Sequence, residues 1–324
     1  MTILKNLAVF LTALSAFADV SVGTPVAAPL AESLPRATCT NPVLRKEWSA
    51  ATAAERSSYI SAVLCLATKP SRINLSTTLY DDFVYVHNSL TDRIHGVAQF
   101  LPWHRYFIHV YEQALKDCGY TGVAMYWNWA ADSAAPSAAK VWSPVDGFGG
   151  NGNQSTPDVP FSKCVTDGPF TGLTLAYYNT EVRPHCLMRD FQPAHPEAGL
   201  QDMIGFQFTP EIVAEVSAYP DFSSFHGALE SRPHAVVHAG VSGDMGPATS
   251  PNDPIFFLHH TMVDRIWWLW QQQNPSVRTN DFSGTEYAGV AATLDDLMPM
   301  MGIATDRKVG DFMSTSTTDL CYKY

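Results

Sequence analysis

The sequence contains no C-x-x-C pair, no cluster of lysine and arginine, no internal repeat, and no apolar run of membrane-spanning length beyond its N-terminal end. Without C-x-x-C pairs, the usual zinc-ribbon and redox motifs are excluded. Without a basic cluster, and with a formal net charge of -11 at pH 7, the chain offers nothing to a polyanion, so nucleic acid is not expected as a partner. No membrane association is expected either, because a spanning helix needs about 20 apolar residues. The chain has 324 residues, of which 46% are hydrophobic and 12% aromatic. That is enough for a large core, and length alone allows one or two domains. No low-complexity linker separates two independent units.

The first residues, Met1-Thr2-Ile3-Leu4-Lys5-Asn6, include one basic side chain, and an apolar stretch runs from Leu7 to Phe17, with the small-residue pattern Ala16-Phe17-Ala18 behind it. This order reads as a signal peptide over residues 1–18, followed by a Pro- and Ala-rich lead-in over 19–38 and one domain over 39–324. The expected protein is secreted and extracellular. Export makes Cys39, Cys65, Cys118, Cys164, Cys186 and Cys321 readable as disulfides rather than as a thiolate metal site. Six cysteines allow fifteen connectivities, and the spacing does not choose among them. The working pairing is Cys39 with Cys321, Cys65 with Cys118 and Cys164 with Cys186. Sequons at Asn74 and Asn153 fit a glycosylated surface.

Helical signals dominate. Thr52-Ala53-Ala54-Glu55 is a capping box, and Tyr59, Ile60, Val63, Leu64 and Ala67 repeat behind it until Lys69-Pro70. Tyr80, Phe83, Val84 and His87 keep the same spacing. A third helix is expected from Pro102 to Gly119, with His104 in its first turn. From Ala130 to about Gln207 the composition turns to Gly, Pro, Ser and Asn, a long loop region of the kind that disulfides pin. Helical signals resume with Pro233 to Ala239, closed by Gly240, and after Asn252-Asp253-Pro254 as far as Asn274-Pro275.

Six of the 11 histidines form two triplets. His87, His95 and His104 are 8 and 9 residues apart, a spacing that suits a helix, a loop and a following helix meeting at a point. His234 and His238 are at i and i+4, on one helix face, and His260 follows from the next helix. Any one of them alone reads as a hydrogen-bonded core residue. Two helix-borne triplets without carboxylate or thiolate read as two metal sites, each with an open coordination position. Imidazole suits copper, zinc, iron and nickel, so the ligand type does not name the metal.

The stretches from His95 to Arg105, HGVAQFLPWHR, and from Asn252 to Arg265, NDPIFFLHHTMVDR, resemble the two copper signatures of the tyrosinase and catechol oxidase family. The likeness runs from about Cys39 to Tyr324, includes Tyr126-Trp127-Asn128-Trp129 and Cys321-Tyr322-Lys323-Tyr324, and is nearest in outline to short secreted fungal polyphenol oxidases. It implies a mainly α fold, a four-helix bundle holding two copper ions in a type 3 centre, with long disulfide-pinned loops. His87, His95 and His104 would hold one copper, and His234, His238 and His260 the other. Of the neighbours His259 and His260 the pattern selects the second, which leaves His259 to support of a ligand or to packing. His109, His185, His195 and His226 match no motif position. Glu230 resembles the acidic residue that holds an active-site water, and Phe256 the aromatic gate over the second copper. Asp264, one turn beyond His260, is open to two readings: a support for a ligand imidazole or a surface ion pair.

The implied activity is oxidation of o-diphenols to o-quinones, with dioxygen reduced to water and a small phenol as substrate. Monophenol hydroxylation and o-aminophenol oxidation are alternatives. Many monophenol-active relatives carry Asn after the first histidine of the second site. Here Ala235 stands there, which points to diphenolase chemistry. Arg93 occupies a position where some relatives carry a Cys cross-linked to the second histidine, and Asn128 replaces an acidic residue. The end at Tyr324 leaves no C-terminal plug, so no latency is expected, and the state expected is monomer or weak homodimer. Two other classes compete: an oxygen carrier of the haemocyanin kind, and a dinuclear zinc hydrolase, whose sites usually include carboxylates.

Overall fold

The computed structural model describes residues 39–155, 163–179, 181–194 and 202–324. The expected signal peptide and lead-in, and His195, lie outside these residues. Helix α1 (Ala53–Leu66) opens with the expected capping box, in which the Thr52 hydroxyl accepts from Glu55 N–H and the Glu55 carboxylate accepts from Thr52 N–H. Helix α2 (Leu79–Ile94) starts on a second box built from Thr78 and Asp81. Helix α3 spans Phe100–Asp117, two residues earlier than the proline signal suggests. Pro102 therefore falls inside the first turn, where its missing N–H costs nothing. His104 lies in the second turn rather than the first.

The loop region after Ala130 contains an antiparallel hairpin, β2 (Thr174–Tyr178) with β3 (Glu181–Cys186), the second of three short ribbons. The first, β1 (Val43–Leu44), pairs in parallel with β6 (Tyr322–Lys323), and β4 (Leu297–Met298) pairs with β5 (Arg307–Lys308). Disulfides join Cys39 to Cys321, Cys65 to Cys118 and Cys164 to Cys186. The last closes onto β3, so the long connection is pinned as expected. Two short helices, α4 (Pro210–Ser217) and α5 (Phe222–Leu229), precede the point where helical signals resume in the sequence. Helix α6 (Ala235–Val241) includes Gly240, which is not a terminator. A Cβ there would lie 2.4 Å from the Met203 carbonyl oxygen, so close approach explains the glycine. Helix α7 spans Ile255–Gln272.

Helices α2, α3, α6 and α7 form the four-helix bundle. Phe83 on α2 meets Phe107 and Tyr111 on α3 and Phe257 on α7 edge-on, with ring centroids 5.4, 5.2 and 5.9 Å away. Two buried ion clusters brace this core. On one side Asp264 accepts from Arg105, from Arg45 at 3.2 Å and from the hydroxyls of Tyr322 and Tyr324. Asp264 is thus neither on the surface nor against a ligand imidazole, and both readings of it are corrected. It ties α3 and α7 to the ends of the domain. On the other side Arg189 forms a two-point contact with Asp253 at 2.6 and 2.8 Å, and Asp253 accepts from Ile255 N–H at the start of α7.

Burial works to raise the Asp264 carboxyl, but Arg105 and Arg45 hold it below the usual carboxylate range. Removing one partner of such a network leaves charge buried without compensation. Asp264→Asn should therefore cost about 3–5 kcal/mol, read as a lower denaturant midpoint with unchanged slope. A loss within experimental error would show that the two arginines find other partners.

Candidate metal centre

Three elements bring the first histidines together. His87 sits on α2, His95 caps its C-terminus, and His104 sits on α3. Gly96, at φ +66°, turns the chain between the two helices, a conformation glycine adopts without strain. The imidazole centroids of His87, His95 and His104 lie 5.0, 5.5 and 5.1 Å apart. In the second group His234 stands at the entry to α6, His238 one turn on, and His260 on α7. Their centroids lie 4.7, 4.9 and 5.5 Å apart. The two groups adjoin, with His104 stacked on His260 at 4.3 Å and 12°.

The hydrogen bonds set the tautomers. Nδ1 of His87, His95, His104, His234 and His238 faces a backbone carbonyl oxygen, of Ala248, Thr91, Phe100, Glu230 and Met245, at 2.7, 3.0, 2.8, 2.9 and 2.7 Å. A carbonyl only accepts, so each Nδ1 carries the hydrogen and each Nε2 presents a lone pair. Burial pushes the pKa of all six imidazoles down and keeps them neutral. His87 Nε2 and His104 Nε2 stand 3.4 Å apart with no hydrogen left to place between them. His234 Nε2 is buried without a partner. Two facing lone pairs and an orphaned third nitrogen are what a cation would satisfy.

His259 differs from a simple packing residue. It is fully buried, neither of its ring nitrogens has a protein partner, and one lies within 4.8 Å of the ligand atoms of His234, His238 and His260. Its ring stacks on His234 at 5.3 Å and nears Trp129 at 6.1 Å, on the side away from the first group. His260 alone of the two faces that group. Phe256 is also fully buried. Its ring lies 4.1 Å from His260 and 5.0 Å from His87, wedged beneath both groups. A cavity of about 410 Å³ opens instead past Gly246, Pro247 and Ala248, and is lined by His87, His95, His234, His238 and Ala235. Phe256 is not among the residues that line it. Glu230 connects the groups: its carboxylate accepts from Gly96 N–H at 2.6 Å while its carbonyl holds His234.

The Tyrosinase family, described as the common central domain of tyrosinase, matches residues 77–273. A tyrosinase-like protein of Diaporthe leptostromiformis is 41% identical over 304 residues, spanning 88% of this chain and 80% of that protein. The chain belongs to the tyrosinase family. An N-acetyl-6-hydroxytryptophan oxidase of Emericella nidulans is 30% identical over 88% of this chain and 92% of its own length. The solved structure of a polyphenol oxidase from Thermothelomyces thermophila, a point mutant, is 29% identical, covers 90% of each chain and superposes with a TM-score of 0.77. Membership brings the type 3 dicopper centre, and the donor set fits it: neutral nitrogen donors in two adjoining groups, with no carboxylate or thiolate in either among the described residues.

Sequence reasoning missed the partners behind the histidines. His226 bonds the Val97 carbonyl through Nε2 at 2.9 Å, bracing the loop between His95 and His104. His185 pairs with Asp244 at 2.9 Å. Neither has a motif signature, because their partners lie 129 and 59 residues away. Arg93 stacks near Tyr287, and all six cysteines are in disulfides, so none is left for a thioether.

Burial pushes the Glu230 carboxyl up to about 7, against the lowering effect of Gly96 N–H. The folded state then holds a proton that the unfolded chain has released, so this group costs stability as pH rises from about 4.5 to about 7. Glu230→Gln should flatten the stability of the copper-free protein across that window. An unaltered pH slope in chemical denaturation would mean that Glu230 is ionised throughout.

Proposed function

We propose that the chain is a secreted catechol oxidase whose copper ions are held by His87, His95 and His104 and by His234, His238 and His260. The observation that carries the reading is the cavity, which reaches imidazoles of both groups and leaves room for a ring beside them. The three disulfides support export, and no described helix is long and apolar enough to cross a membrane. Copper ions held by these histidines would supply the electron transfer that couples the oxidation of two o-diphenols, two electrons each, to the four-electron reduction of one dioxygen to two waters.

This chain's own residues bind and orient the ring. Apart from histidines, Thr91, Ala235, Ala239, Gly246, Pro247, Ala248 and Ser250 line the cavity, and none carries a charge. The lining suits an uncharged aromatic ring, which loses little on desolvation, and gives no counter-ion to a charged substituent. Phe256, fully buried, packs its ring against His260 and His87 behind the cavity wall and helps hold both imidazoles in place. Glu230 bonds Gly96 N–H beside His95 and holds His234 through its carbonyl, and its raised pKa suits a group that passes a proton to and from a water at the site. Access from solvent favours turnover over an oxygen carrier. The kinship with an N-acetyl-6-hydroxytryptophan oxidase supports a second reading, oxidation of another hydroxylated aromatic ring.

Ala235 follows His234 at the exposed edge of the cavity and offers no hydrogen-bonding side chain. A water that deprotonates an incoming monophenol therefore lacks one anchor. Ala235→Asn should raise the ratio of monophenol to diphenol turnover by about tenfold, below the usual range for a positioned proton acceptor because the residue acts through a water. Rapid monophenol hydroxylation by the unaltered protein, without a lag, would overturn the diphenolase assignment.

The ligand set is tested by metal analysis. His260→Ala should reduce copper from two per chain to about one and abolish catechol oxidation, whereas His259→Ala should retain two. The reverse pattern would move the ligand to His259. Copper-loaded protein that takes up oxygen reversibly but forms no quinone from catechol would establish a carrier instead.

A further inference from the structure

The loop after α6 lies outside both histidine groups, yet it touches one ring in each. His95, His104 and His234 bond through Nδ1 to carbonyls four residues back in their own segments, so local geometry orients them. His87 and His238 depend on a different source. The Ala248 carbonyl accepts from the first and the Met245 carbonyl from the second, both at 2.7 Å. A stretch of four residues thus sets the tilt of one imidazole in each group.

What holds that stretch is a buried carboxylate that the chemistry does not use. Asp244 is fully buried. Its N–H donates to the Met188 carbonyl at 2.9 Å, and its Oδ2 accepts from Met188 N–H at 2.7 Å. Its Oδ1 accepts from His185 Nε2 at 2.9 Å, while His185 Nδ1 faces the Arg183 carbonyl at 2.7 Å. An acceptor faces each nitrogen of the His185 ring, an arrangement that favours the form with hydrogens on both. Gly243 lets the strands close, since a Cβ there would lie 2.4 Å from the Met188 carbonyl oxygen. The clamp fastens the loop to the segment that Cys164–Cys186 pins and that Arg189 joins to Asp253.

We propose that Asp244 is a positioning residue for the dicopper centre: with His185 it fixes residues 245–248, whose carbonyls orient His238 and His87. The proposal rests on the ligand set above. Loosening the clamp disturbs both metal positions at once, whereas loss of any single ligand acts on one.

The test is copper titration of the copper-free full chain, comparing wild type, Asp244→Ala, His185→Gln and Phe170→Leu. Phe170 stacks on Phe148, has no ring contact with a histidine among the described residues, and serves as a control for lost stability. Asp244→Ala should weaken both copper sites by at least about tenfold, the range for outer partners of metal ligands. It should also shift the oxygen-dependent absorption band of the loaded protein. His185→Gln keeps both Asp244–Met188 bonds and should give a smaller loss in the same two-site pattern. It carries the test if Asp244→Ala does not fold. Phe170→Leu should bind both coppers as wild type does, even with a lower melting temperature. A loss confined to one site, no loss in either clamp variant, or an equal loss in the control overturns the proposal. Wild-type protein that binds fewer than two coppers would instead sink the ligand set, before any variant is compared.

Discussion

A buried neutral imidazole offers a lone pair at one nitrogen while the other keeps its hydrogen and needs an acceptor for it, and this need organises the domain. Five of the six proposed ligands meet it through a backbone carbonyl at 2.7 to 3.0 Å. A carbonyl is the right partner because it accepts without adding a net charge. Carboxylate partners would favour the imidazolium, and two such charges about 5 Å apart would repel by roughly 3 kcal/mol at an effective dielectric near 20. The fold therefore needs carbonyls at defined places: Thr91 and Phe100 offer theirs from helices α2 and α3, Glu230 from the kinked turn before Ala235, and Met245 and Ala248 from the loop after Val241.

Charge is kept to the periphery of this neutral core and used there as bracing. Asp264 with Arg105 and Arg45, and Asp253 with Arg189, lock the ends of α3 and α7 without reaching any of the six rings. Such pairs bring little net stability over apolar packing but tolerate little loss of a partner, so they specify geometry more than they add energy. The copper-free protein still bears a cost. His234 Nε2, His260 Nδ1 and both nitrogens of His259 are buried without partners, at about 1–3 kcal/mol for each such group. Metal binding removes part of that cost, which links the centre to the stability of the bundle.

Much of this was legible in the sequence where the signal is local. The capping box at Thr52, the periodic face of α2 and the long α7 depend on neighbours within a few residues, and they appear where the pattern puts them. The triplets were legible because copper signatures are long and specific, and because His234 and His238 share one helix face. Contacts across great sequence distance were not. Asp264 reads as a ligand support or a surface ion pair until Arg45, 219 positions away, is seen beside it. Phe256 occupies a position that suggests a gate, but the pattern cannot tell a ring above the histidines from one beneath them. Helices α4 and α5 have 8 residues each, too few for periodicity to separate them from loop.

The choice between His259 and His260 shows how geometry goes beyond motif. Successive residues on a helix point about 100° apart, which on its face leaves only one of them near a metal. Yet one ring nitrogen of each lies within 4.8 Å of those of His234 and His238, because the rings are long enough to lean back toward the same point. What separates them is the other group. His260 stacks on His104, and its Nε2 is 3.4 Å from that of His238, so it faces the space between the two sites. His259 stacks on the far side of His234 against Trp129. A centre that works with two metals together needs the nitrogen directed at the shared space, and only His260 meets that requirement.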